Sequence, residues 1–98
     1  MYKVIMSTEG LKWLGSLRDI RTRTRIAIRI KRLELGYFGD AKNIGGLIEL
    51  RIDHGPGYRL YLARRARTTY LLLIGGDKST QSRDIATARK MLAALPAT

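Results

Sequence analysis

Leu47-Ile48-Glu49-Leu50-Arg51-Ile52-Asp53-His54-Gly55-Pro56-Gly57-Tyr58-Arg59-Leu60-Tyr61-Leu62-Ala63-Arg64-Arg65 consists of two alternating runs divided by a dense turn signal. From Leu47 to Asp53, Ile48, Leu50 and Ile52 fall on one side, and Leu47, Glu49, Arg51 and Asp53 on the other. Tyr58, Leu60 and Leu62 likewise oppose Arg59, Tyr61 and Ala63. Asp53 to Gly57 carries the residues that reverse a chain. The stretch predicts a β-hairpin with one apolar face and one wet face, and the wet face gathers Glu49, Arg51, Arg59 and Tyr61.

Working outward toward the C-terminus, Arg64 to Thr68 turns the chain, and Thr69 to Ile74 is apolar on both faces, as a central strand would be. Gly75-Gly76 is expected to close that strand, with Lys78 in the loop beyond. Ser79 or Thr80 then caps a terminal helix carrying Ile85, Ala88, Leu92 and Leu95, ended by Pro96. On the N-terminal side, Gly36 to Gly46 reads as a loop. Arg21 to Leu35 reads as a helix, with Ile26, Ile30 and Leu33 on one face and Arg21, Arg25, Arg29 and Arg32 on its neighbour. Before it, Tyr2 to Met6 suits a strand, and Ser7 or Thr8 caps a first helix carrying Leu11, Trp13, Leu14 and Leu17. The predicted order is β-α-α-β-β-β-α. This is an α+β fold with a mostly antiparallel four-stranded sheet, a helical hairpin and a C-terminal helix, and residues 1–98 form a single domain.

The composition narrows the function. Nineteen Lys and Arg against eight Asp and Glu give a net charge of +11, which attracts polyanions, nucleic acid foremost. With no cysteine there is neither a disulfide nor a thiolate nucleophile, and a lone His54 makes a protein-only transition-metal site a poor fit, so no metal and no cofactor is expected. The longest apolar run is far too short to span a bilayer and no targeting signal is visible, so the expectation is a cytoplasmic chain without membrane association.

Trp13-Leu14 with Leu17 and Asp19, Gly39-Asp40, Glu49-Leu50-Arg51, Gly55-Pro56-Gly57-Tyr58-Arg59 with Tyr61, and Gly75-Gly76-Asp77-Lys78-Ser79-Thr80-Gln81 with Asp84-Ile85 occur in this order. Together they closely resemble HigB-like toxins of the RelE/ParE superfamily, over nearly the whole chain. The resemblance implies a RelE-like fold and the toxin of a bacterial type II toxin–antitoxin module, an addiction module. It implies a ribosome-dependent endoribonuclease, or mRNA interferase, that cuts messenger RNA, inhibits translation and uses no metal. Its implied partners are the ribosome with its mRNA and a cognate antitoxin carrying a helix-turn-helix part. Arg59 and Lys78 match positions where RelE-type toxins place cationic catalytic residues. The sequence departs from the best-known RelE-type toxin at Glu49, where that toxin has a lysine, and at Asp84, where it has a tyrosine.

RNA supplies its own nucleophile. Attack by the 2′-hydroxyl needs a proton acceptor, an acid for the leaving 5′ oxygen, and cations where charge builds on phosphorus. Arg51 and Arg59 suit the cationic task because a guanidinium grips two phosphate oxygens and stays charged, and Lys78 adds a point charge. Glu49 is the candidate for accepting or positioning the proton, though a glutamate between two arginines is also expected as their ion-pair partner. Tyr61 either stacks a base or packs on a neighbour, and His54 either contacts RNA or is a solvated turn residue. Arg21, Arg25 and Arg29 either meet RNA or an antitoxin, or form a solvated helix face. Asp84 is expected to cap or pair within the terminal helix. Two other functions stay open: a ParE-like toxin that inhibits DNA gyrase by contact, for which the basic helices matter, and a nucleic-acid-binding module without catalysis.

Overall fold

The computed structural model describes residues 1–96. The chain runs β1 (Lys3–Met6), α1 (Thr8–Ser16), α2 (Ile20–Glu34), β2 (Ala41–Asn43), β3 (Ile48–Ile52), β4 (Tyr58–Ala66), β5 (Thr69–Asp77) and α3 (Gln81–Ala94), with one 3-10 turn at Lys78–Thr80. α1 and α2 start where their free amides find a side-chain acceptor. Ser7 accepts from the Gly10 amide at 2.8 Å and Asp19 from the Arg21 amide at 3.0 Å. That hydrogen bond holds the exposed Asp19 carboxyl below its usual range. Before α3 the expected caps are replaced. Asp77 accepts from the Ser79 amide and so caps the 3-10 turn, and the Thr80 hydroxyl turns to Asp84 instead of capping α3.

The fold is α+β, and its sheet has five strands in the order β1-β5-β4-β3-β2. Four were expected. The extra strand, β2, lies inside the glycine-rich segment read as a loop, and pairs antiparallel with β3 from Ala41 opposite Leu50 to Asn43 opposite Ile48. β3, β4 and β5 form the antiparallel meander, and β1 joins the far side of β5 in parallel, with Lys3 opposite Thr69 and Met6 opposite Leu72. Gly75 and Gly76 do not close β5 but lie within it. An added Cβ would fall on the Trp13 ring at Gly75 and on the Asp84 carboxylate at Gly76, so these two glycines let α1 and α3 touch the strand backbone.

Helices cover both sheet faces. On one side α1 and α2 bury Ile26 and Leu33 with Leu50, Ile52, Leu60, Leu62, Tyr70 and Leu72, and Trp13, Leu14 and Leu17 pack against this core. On the other, Ala88 of α3, flanked by Ile85, Met91 and Leu92, covers Leu47, Tyr61, Ala63 and Leu73. The register slips between Tyr61 opposite Ile74 and Leu62 opposite Leu72. Leu73 is thus the extra residue of a bulge, which places both Leu73 and Ile74 toward α3. The face of the hairpin expected to be wet is therefore roofed by α3 over much of its length.

Candidate functional site

The cross-strand register sets the site. Glu49 stands opposite Tyr61, and Arg51 opposite Arg59, on the face that α3 covers. Two like charges directly opposite on a sheet repel unless a counterion lies between them. Glu49 is that counterion. Its side chain is 2% exposed, with Arg59 Nε 3.7 Å from Oε2 and Arg51 Nε 3.9 Å from Oε1. Oε2 also accepts from the Tyr61 hydroxyl at 3.0 Å and from Gln81 Nε2 at 2.9 Å. Both arginine Nε atoms are buried near the carboxylate without a hydrogen-bond partner.

Tyr61 is the clearest correction to the sequence reading. It is fully buried rather than presented to a base, and burial beside the Glu49 carboxylate raises its phenol well above the ordinary range. The alternation in β4 was read correctly, but the face it marked faces a helix and not solvent. Glu49, the candidate proton acceptor, already receives two hydrogen bonds and faces two arginines. The more exposed Arg51 also meets Asp40, its Nε 3.5 Å from Oδ1.

Arg29 is placed differently from the other arginines of α2. Its guanidinium donates to the carbonyls of Arg51, Phe38 and Asp40, so it pins α2 to the backbone beside the Arg51–Asp40 pair. Desolvation lowers its affinity for its proton. Lys78 is exposed on the 3-10 turn. Its neighbourhood with Arg59 is set by Gly57, a residue at φ 82° whose vacant Cβ position is flanked by Arg59 Nη1 and Lys78 Cβ. Arg59 Nη1 in turn donates to the Gly57 carbonyl at 3.1 Å.

Arg21, Arg25 and His54 are brought together, but elsewhere. With Ile20, Thr24 and Ile28 they line a groove of about 590 Å³ on the α2 side of the sheet, away from Glu49 and its arginines. The His54 ring lies over Tyr58, centroids 6.5 Å apart.

Two residues of the cluster were not singled out from the sequence. Gln81, the first residue of α3, ties that helix to Glu49, and Asp40 pairs with Arg51. Both occur in the motif segments quoted above, yet nothing in their spacing reveals that Gln81 meets a residue 32 positions away or that Asp40 pairs with Arg51. Asp84 is 5% exposed in the first turn of α3, where the negative charge suits the helix end, and it accepts from Thr80 at 2.5 Å. Among the described residues no group of three His, Cys, Asp or Glu side chains is placed to hold a metal, and no helix is long and apolar enough to cross a membrane.

No protein-family profile matches the chain. A protein of Haemophilus influenzae, described only as uncharacterized, is 51% identical over 78 residues, which is 79% of each chain, and the two belong to one family. The fold is similar to that of a chain in the intact Escherichia coli RelBE toxin–antitoxin complex, with a TM-score of 0.65 and 15% identity over 79% of this chain and 96% of that one. The expected RelE-like architecture is thus present at the level of fold.

Proposed function

We propose that this protein is the toxin of a type II toxin–antitoxin module, a ribosome-dependent endoribonuclease of the HigB type that cuts mRNA and is neutralised by a cognate helix-turn-helix antitoxin. The observation that carries the reading is the arginine pair set opposite across β3 and β4, with Lys78 beside it across Gly57, on a fold shared with a chain of a toxin–antitoxin complex. A site for cleaving RNA through its own 2′-hydroxyl needs convergent cations more than a protein nucleophile. Here Glu49 meets both guanidiniums through Nε and Arg59 Nη1 is held by the Gly57 carbonyl, leaving Arg59 Nη2 and the terminal nitrogens of Arg51 to grip a phosphate. Arg59 and Arg51 bind the scissile phosphate and stabilise the charge that develops on it, and Lys78 adds a third cation. Glu49 positions the arginines rather than accepting the proton, since it is buried between two guanidiniums and its Oε2 already accepts two hydrogen bonds.

Arg59→Ala tests this in cell-free translation, with the variant's circular dichroism compared with that of the parent. The expected result is loss of messenger cleavage on stalled ribosomes with the fold retained. Cleavage at the parental rate refutes the assignment. Parent and variant inhibiting DNA gyrase supercoiling equally, with no RNA cut by either, assigns the chain to contact inhibition, and the groove of Arg21, Arg25 and His54 becomes the surface to examine.

A further inference from the structure

β1 stops pairing at Leu72, and β5 continues alone on that side from Leu73 to Asp77. Along this open edge lies a cavity of about 240 Å³, lined among others by Trp13, Leu17, Tyr58, Gly76, Thr80 and Asp84. The volume suits one nucleobase. Two walls are aromatic, with the Trp13 and Tyr58 rings 6.4 Å apart and inclined at 59°. Asp77, Thr80, Arg83 and Asp84 give it a polar side, and Asp84 is drawn against the strand by the missing side chain of Gly76. Its Oδ2 accepts from Thr80, while Oδ1 has only Arg83 Nε at 3.8 Å, beyond hydrogen-bond reach, and the Arg83 side chain is 76% exposed. A carboxylate can accept several hydrogen bonds, and Asp84 is left with capacity beyond the one from Thr80. The cavity thus offers flat aromatic walls and a positioned carboxylate with free acceptor capacity.

Tyr58 and Gly76, both in the lining, are the chain neighbour and the cross-strand neighbour of Arg59. We propose that this cavity binds a guanine base of single-stranded RNA, whose N1–H and N2–H donate to the Asp84 carboxylate while Trp13 and Tyr58 cover its ring. Among the four bases, guanine alone presents two adjacent donors on its Watson–Crick edge. Adenine and cytosine place an acceptor beside their amino group, and uracil flanks its single N–H with two carbonyls, so each sets oxygen or nitrogen lone pairs against the carboxylate. A bidentate base contact is worth roughly tenfold or more in discrimination. A cationic amine is disfavoured by the net charge of +11. The proposal rests on the reading that the chain handles RNA, and it assigns base preference to a place separate from the phosphate contacts.

Trp13 is the single tryptophan, so its fluorescence reports directly on the cavity. Titration of the intact chain with the four ribonucleoside monophosphates is expected to give a saturable change with GMP, at least tenfold tighter than with AMP, CMP or UMP. Asp84→Asn, which preserves size and the acceptor for Thr80 but turns an amide N–H₂ toward the guanine donors, is expected to abolish the preference. Linear, base-independent quenching, no saturable change with GMP, or an unaltered preference in a folded Asp84→Asn overturns the proposal. The comparison among nucleotides needs no variant and stands even if Asp84→Asn fails to fold. The two readings fail separately: GMP binding does not involve the ribosome, and loss of the GMP signal leaves Arg59-dependent cleavage untouched.

Discussion

Glu49→Gln puts the counterion role to a quantitative test. The side chain is 2% exposed and holds two arginines at 3.7 and 3.9 Å and two hydrogen-bond donors at 3.0 and 2.9 Å. At an effective dielectric constant of about 20, each ion pair attracts by roughly 4 kcal/mol before desolvation is counted. Desolvation offsets much of this when the pair forms, but removing one charge from a buried pair costs about 3–5 kcal/mol, because the partner stays buried and unpaired. Glutamine keeps the shape and one acceptor, and Arg51 is 38% exposed, so water screens part of the remaining repulsion. The lower end, about 3 kcal/mol, is the expected loss. For a domain of this size that lowers the melting temperature by about 12–24 °C. Urea unfolding of Glu49→Gln, Arg59→Met and the double variant measures the coupling directly, and about 2 kcal/mol is expected between Glu49 and Arg59. A loss below about 1 kcal/mol, or coupling within about 0.5 kcal/mol of zero, would show that the carboxylate does not hold the arginines together.

Arg29→Met removes donors to three backbone carbonyls and should cost about 2 kcal/mol in urea unfolding while changing RNA affinity by no more than a single surface charge does. Unchanged stability with sharply weaker RNA binding would reverse the assignment. Tyr61→Phe should lose about 1 kcal/mol at neutral pH, the worth of its hydrogen bond to Glu49. Because the folded chain holds the Tyr61 proton more tightly than the ordinary phenol value of 10.0, its contribution is complete below that pH and lost as pH rises through the higher folded value. Stability of the parent should therefore fall by up to about 1.4 kcal/mol per pH unit more than that of the variant above about pH 10. Parallel curves for the two proteins would refute the shift.

The elements whose periodicity spans several turns or pleats were legible in the sequence. Ile26 and Leu33 mark the buried face of α2, and the alternation of β3 and β4 fixes their register. β2 was not legible, because three residues with only Ala41 half-buried carry no period and glycines flank them. Gly75 and Gly76 signalled a stop because their reason, contact with Trp13 and Asp84, lies in distant helices. For the site, alternation put Glu49, Arg51, Arg59 and Tyr61 on one face, but a strand pattern does not say what lies over that face. The apolar run of α3 held the missing information, since its buried Ala88 and neighbouring leucines needed a sheet surface to cover. Arg29 belongs to the same case. Its stripe on α2 was visible, while its acceptors 9, 11 and 22 residues onward were not.

The parallel joining of β1 to β5 also governs how the protein is made. Lys3 must wait for Thr69, and the Ser7 hydroxyl for the Leu73 carbonyl, 66 residues downstream. A nascent chain that has delivered only its first two helices has no seat for its own beginning, and such late, non-local closure slows folding. The sheet therefore gains its fifth strand only after β5 has been made, so the first strand of the sequence is among the last to be seated.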